Sequence, residues 1–201
     1  MKHLKKPVLL MFMAASQLGV AAQAQTGPAT DSATKPAVAT VSGDDLRPEL
    51  NDLLPQHRLV GKTRLKVWGF QVYDARLWSL PGTRAEQLPT RAFALELDYL
   101  RDFSNTDIAE RSIKEMRRSA SIADDQARTW TAEMLRVLPN VKKGDRIMGL
   151  HRPGEGALFL VNGKPSGEIK DTEFARLFFG IWLSPKTSEP QMRSALLAGA
   201  P

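Results

Sequence analysis

Residues 59–78, LVGKTRLKVWGFQVYDARLW, commit the chain to a β-rich fold. β-Branched and aromatic residues at this density suit a pleated, half-buried surface. Leu59, Thr63, Leu65 and Val67 mark one strand, and Phe70, Val72, Tyr73, Leu77 and Trp78 mark the next. The break falls at Trp68-Gly69, because glycine takes the positive φ that a tight turn needs. A two-residue turn there sets Val67 opposite Phe70, Leu65 opposite Val72 and Arg64 opposite Tyr73. A guanidinium beside a phenol makes a receptor for a carboxylate or enolate oxygen. The same pair also reads as an ordinary cross-strand contact on a solvated face.

Further along, Arg91 to Leu100 alternates apolar Phe93, Leu95, Leu97 and Tyr99 with Glu96 and Asp98, which predicts a third strand with the two acids on its solvated side. Arg101-Asp102 at its end reads as a structural ion pair, or as a cation reaching a cleft. Ser104 with Asp107 three residues on is a helix start, and Ile108, Ile113 and Met116 form the apolar stripe of that helix. A second helix spans roughly 123–138 and stops at Pro139. Three short strands follow, joined by Pro153-Gly154-Glu155-Gly156 and by Asn162-Gly163, the strongest hairpin signal in the chain. Asp171 or Thr172 then caps a helix whose wide apolar face carries Phe174, Leu177, Phe178, Ile181 and Trp182, and a last helix starts near Pro190. Strands and helices are segregated. The order predicts an α+β fold, an antiparallel sheet with helices packed on one face.

The chain divides into three parts. Lys2, Lys5 and Lys6, an apolar run over 8–20 and the Ala22-Gln23-Ala24 site predict a cleaved signal peptide over 1–24 and a periplasmic protein. Residues 25–45 are rich in Ala, Thr, Ser and Pro and predict a disordered linker, and 46–201 form the folded domain. No stable membrane span is expected in the mature chain. Without Lys2, Lys5 and Lys6 the formal charge falls from +6 to +3, too weak and too scattered for a nucleic-acid partner. The chain has no cysteine, which excludes disulfides and thiolate chemistry. His57 and His151 have no second ligand at i+2 or i+4, so neither a metal nor a cofactor is expected.

Three stretches, in this order, carry a resemblance. They are Gly61-Lys62-Thr63-Arg64 followed by residues 72–78, VYDARLW; then Arg101-Asp102-Phe103-Ser104; then Lys143-Gly144-Asp145 with Val161-Asn162-Gly163-Lys164 and residues 174–183, FARLFFGIWL. The chain resembles the bacterial chalcone isomerase-like family of exported proteins over about residues 53–199. The resemblance implies an open-faced β-sandwich with a ligand cleft between sheet and helices. It also implies one of two activities: cyclisation of chalcones, or binding of fatty acids in the same cleft. The family's cleft arginine corresponds to Arg64. The catalytic threonine falls at Tyr73, where the fatty-acid-binding relatives also carry tyrosine. The helix tyrosine and asparagine of the enzymes fall near Ile108 and Glu115, and the Arg64–Tyr73 spacing is shorter than in the plant enzymes. These departures favour a non-catalytic binder of a fatty acid or other small apolar carboxylate, held by Arg64 and Tyr73. An intramolecular lyase or isomerase of chalcone-isomerase type, and a ligand-free envelope interaction module, stay open as alternatives.

Overall fold

The strand-forming runs fold as β1 (Arg58–Val67), β2 (Phe70–Ser79), β3 (Phe93–Tyr99), β4 (Arg146–Arg152), β5 (Gly156–Val161) and β6 (Lys164–Ile169), with tight turns between β1 and β2, β4 and β5, and β5 and β6. The structure is a computed structural model that describes residues 47–201, so the expected signal peptide and linker lie outside the described residues. The strands form one antiparallel sheet in sequence order. Strands joined by short turns pair as antiparallel neighbours. Two of those turns share one geometry. Trp68-Gly69 has φ of 49° and 80°, and Asn162-Gly163 has φ of 51° and 80°, the doubly positive form that matches strand twist.

The helices are α1 (Leu50–Leu53), α2 (Asn105–Met116), α3 (Asp124–Val137), α4 (Thr172–Leu183) and α5 (Pro190–Leu196). Caps fix where the long ones begin. Ser104 Oγ accepts from the Asp107 N–H at 3.0 Å, the bond that its spacing to Asp107 predicts. Asp171 accepts from the Phe174 N–H at 2.8 Å and from the Trp130 indole at 2.8 Å, so one side chain starts α4 and ties it to α3. A 3-10 turn over Ala85–Thr90, which periodicity does not reveal, links β2 to β3.

Helices α2 to α5 cover one face of the sheet. There Ala75, Leu77, Leu95, Leu97, Ile147 and Phe159 share one core with the apolar residues of these helices, among them Phe174, Leu177, Phe178 and Trp182 of α4. The contact is largely ring on ring: Phe178 lies 5.3 Å from Phe159 and Phe179 lies 4.9 Å from Phe93. Gly149 is small for this reason, because a Cβ there would stand 2.9 Å from the Phe179 ring. On the opposite face Leu50 and Leu54 pack on Trp78, Ala94, Met148, Leu150 and Leu160, a second and smaller core. The fold is therefore α+β with its main helical layer on one side, plus a short helix on the other.

That second cover corrects the reading of Glu96. It is 0 % exposed, not solvated, because the segment carrying Arg47 lies over it. Arg47 donates to both its carboxylate oxygens at 2.7 and 2.6 Å, and Arg146 adds a bond of 2.6 Å. Arg76 stands 3.5 Å away, and Arg146 reaches back to Glu49 at 3.2 Å. The N-terminal segment is thus strapped to the middle of the sheet by charge as well as by leucines.

Candidate functional site

Arg64 and Tyr73 do not meet. Lys66 pairs with Gln71 across the hairpin, but Leu65 pairs with Tyr73 and Arg64 with Asp74, so β2 carries one extra residue at Val72. A one-residue shift moves a side chain to the other face of the sheet, and the expected pairing of Arg64 with Tyr73 is overturned by that bulge. Arg64 lies on the face of Asp74, Arg76 and Trp78. It donates to both oxygens of Asp74 at 2.6 and 2.8 Å and to Gln71 at 2.8 Å. These bonds hold the Asp74 carboxyl below the usual range, since they favour its charged form. Arg101 and Asp102 likewise find other partners: Arg101 lies over the Phe70 ring at 5.0 Å, and Asp102 accepts from the Lys143 N–H at 2.9 Å.

Tyr73 faces the helices. Its partner on β3 is Tyr99, and these are the only two tyrosines in the chain. Their rings meet edge to face at 6.1 Å, and Phe103 leans on Tyr99 at 5.8 Å. From α4, the Trp182 indole N–H donates to the Tyr73 oxygen at 3.0 Å. The hydroxyl of Tyr73 thus has one lone pair occupied, and among the described residues its own proton meets no acceptor. Burial pushes both phenols up, against the Trp182 bond for Tyr73 and with help from Tyr73 for Tyr99. Both therefore stay protonated, and remain donors, across any physiological pH.

The surroundings are apolar on one side and ionic on the other. Half-buried Leu65 lies opposite Tyr73 on β1, Phe103 leans on Tyr99, and half-buried Ile108 and Ile181 pack against the same core. On α2, Glu115 is buried; Arg111 holds it at 2.6 Å and the Ser188 hydroxyl donates to it at 2.8 Å. The Glu189 carboxyl is pushed up, first by burial and then by neighbouring Glu115, with Arg111 opposing. Arg111, Glu115 and Glu189 all act electrostatically on Tyr73. The arrangement offers hydrogen-bond donors to an accepting oxygen at the end of an apolar body. Among the described residues no cluster of three or more His, Asp or Glu is placed to hold a metal ion. A shallow depression of about 410 Å³ lies elsewhere, on the outer side of α3 between Ala127, Thr131 and Leu135.

Of the two residues expected from sequence, Arg64 lies on the other face, while Tyr73 has Tyr99 and Trp182 against it and Arg111 and Glu189 acting on it by charge, none of which the sequence set beside it. One signal was present: a chain with two tyrosines puts both at the same end of neighbouring strands, Tyr73 at the start of β2 and Tyr99 at the end of β3.

The profile of the chalcone isomerase-like proteins matches residues 58–198. The chain belongs to the chalcone isomerase-like family. The match runs from the first residue of β1 to just beyond α5, so it includes Tyr73, Tyr99, Glu115 and Trp182. An uncharacterised protein of Haemophilus influenzae is 28 % identical over 132 residues, which cover 65 % of this chain; the chain spans 63 % of that relative's length. Among solved structures, a fatty-acid binding protein of Arabidopsis thaliana has the same chalcone isomerase-like fold, with a TM-score of 0.54 over 71 % of this chain and 87 % of that one. At 12 % identity that likeness concerns the fold alone. Among the described residues, no helix is long and apolar enough to cross a membrane.

Proposed function

We propose that this chalcone isomerase-like protein binds a small apolar acid, such as a fatty acid, at the helix-facing end of β2 and β3, without transforming it. The tyrosine pair carries the reading. Two phenols stay protonated, and one of them is oriented by Trp182 with its own proton still available. A carboxylate at that point accepts from Tyr73 while its chain lies along Leu65, Phe103, Ile108 and Ile181. Arg111 is the cation whose charge reaches Tyr73; Arg64, bound to Asp74 on the other face, takes no part. The fatty-acid binding protein from Arabidopsis thaliana supports the reading at the level of the fold.

Native mass spectrometry of the full chain during titration with fatty acids tests this. A hydrogen bond to a charged group contributes about 1.5 to 3 kcal/mol, so Tyr73→Phe should weaken binding roughly tenfold to a hundredfold while Arg64→Ala leaves it unchanged. Failure of every acid to bind, or equal binding by Tyr73→Phe, rejects the reading. A ligand-free interaction module is the second reading, favoured by the rings of Phe159, Phe174, Phe178, Phe179 and Trp182 that fill the layer between sheet and α4; it requires that no acid binds. Export belongs to the proposal too, resting on the basic, apolar and Ala22-Gln23-Ala24 segments. N-terminal sequencing of protein from the periplasm should start at Gln25, and an N-terminus at Met1 would contradict it.

A further inference from the structure

The β1–β2 turn presents two aromatic side chains to water. Trp68 is 66 % exposed and Phe70 is 60 % exposed, whereas Trp78, Trp130 and Trp182 are buried. Folding alone gives no reason for a tryptophan there. Its φ of 49° lies in the left-handed region, which suits asparagine or glycine and strains a bulky residue. The chain supplies its own comparison, since Asn162-Gly163 makes the same doubly positive turn with the residue that turn prefers. A side chain that strains the backbone and exposes an indole contributes nothing to the core.

The aromatic tip has a basic collar. Arg101 lies over the Phe70 ring at 5.0 Å, and exposed Lys66 stands two residues before Trp68. The exposed Lys142-Lys143 loop sits beside Arg101, because Lys143 N–H bonds Asp102 at 2.9 Å and Gly144 N–H bonds the Tyr99 carbonyl at 2.7 Å. Asp102 and Asp145 are the nearby acids, and both accept bonds from backbone N–H groups in this loop. The end of the sheet therefore bears an excess of positive charge around an apolar point.

We propose that the Trp68–Phe70 tip, with Lys66, Arg101, Lys142 and Lys143 around it, docks this protein on the surface of an anionic lipid bilayer. Indole and phenyl rings settle at the headgroup level, where the ring body is apolar and the indole N–H stays hydrated. The lysines and arginines face anionic headgroups. Two side chains on a narrow hairpin are far too little for a stable protein interface, which needs about 800 Å² from each partner, but they suffice as a wedge when charge assists. The inference is independent of the ligand reading at Tyr73.

Because the other three tryptophans are buried, quenching by lipids brominated on their acyl chains reports Trp68 whatever other parts of the chain do. The full chain is mixed with vesicles of equimolar phosphatidylglycerol and phosphatidylcholine carrying the bromolipid. Emission should be quenched for the wild type and not for Trp68→Asn, a change that relaxes the turn and keeps the fold. Lys142→Glu with Lys143→Glu should raise the lipid concentration for half-maximal quenching roughly tenfold, and pure phosphatidylcholine should give no quenching. Absence of quenching in the wild type overturns the proposal, even if the protein sediments with the vesicles. Quenching that persists in Trp68→Asn overturns it as well. A Trp68-dependent dimer in analytical ultracentrifugation, with no quenching, would assign the tip to a second copy of the chain instead.

Discussion

Replacing Glu96 by glutamine should unfasten the N-terminal segment from the sheet. The wild-type carboxylate is 0 % exposed and takes three bonds of 2.6 to 2.7 Å from Arg47 and Arg146, with Arg76 at 3.5 Å. Glutamine keeps the volume and one acceptor but removes the buried negative charge that all three guanidinium groups face, leaving Glu49 beside Arg146 and Asp98 beside Arg76 at the margin. Removing one partner of a buried ion pair costs about 3 to 5 kcal/mol, mostly because the remaining charge is stranded out of water. In a domain of this size each kcal/mol moves the melting temperature by about 2 to 4 °C, so the midpoint should fall by roughly 6 to 20 °C. The loss should also be local. Arg47 is 8 % exposed and leads directly into Leu50 and Leu54, so the amides of residues 50–54 should exchange with deuterium much faster while those of β4 and β5 stay protected. Circular dichroism melts and hydrogen exchange followed by mass spectrometry read both. A fall below about 3 °C with unchanged exchange over 50–54 would show that Glu96 does not fasten this segment.

Trp68→Asn, apart from its effect on lipid docking, should stabilise the fold by about 1 kcal/mol in a denaturant titration, because asparagine tolerates the left-handed turn. Gly61→Ala should cost about 2 to 3 kcal/mol and loosen α5, since a Cβ there would stand 2.5 Å from the Leu196 carbonyl oxygen and closer still to that of Ala195; a melt and proteolysis near residue 195 check this. His151 stacks on Phe93 at 4.8 Å and faces Phe179, and burial pushes its imidazole below the ordinary value of 6.5. The unfolded chain therefore binds that proton more readily, and the stability tied to neutral His151 is full above pH 6.5 and lost as pH falls toward the folded value. Melting temperature should fall with acidification across that window, and His151→Phe, which keeps a ring in the stack, should flatten the profile. Chalcone substrates should cyclise no faster than in buffer, since the resemblance implies that the enzymes' helix tyrosine falls near Ile108, which has no hydroxyl; spectrophotometric rates decide it.

Much of the fold was legible because its signals are local. Ser104 before Asp107, Asp171 before Phe174, and Asn162-Gly163 between two apolar runs each fix an element boundary with backbone chemistry. What escaped was long-range. Nothing near Val72 announces a bulge, since Val is an ordinary strand residue; the extra residue shows only when β1 and β2 are paired along their length. Glu96 looked solvated because its strand alternates, yet Met148, Leu150 and Leu160 make the second face apolar too, and Arg47 reaches it from 49 residues away. Of the site, Tyr73 was visible on its strand. Trp182 and Glu189 arrive from the far end of the chain, and only tertiary packing brings them there.

An apolar acid that meets the tyrosine pair can be followed through the pair itself. With tyrosine-selective carbon-13 labelling of the ring carbon bearing the hydroxyl, the full chain gives two signals, from Tyr73 and Tyr99. Tyr73→Phe assigns them. On titration with a fatty acid the Tyr73 signal should shift with the same saturation curve as the bound fraction seen by mass spectrometry, and Tyr99, one strand away, should follow by a smaller amount. Saturable binding of the acid with both tyrosine signals unmoved would contradict binding at this pair and place the ligand elsewhere on the protein.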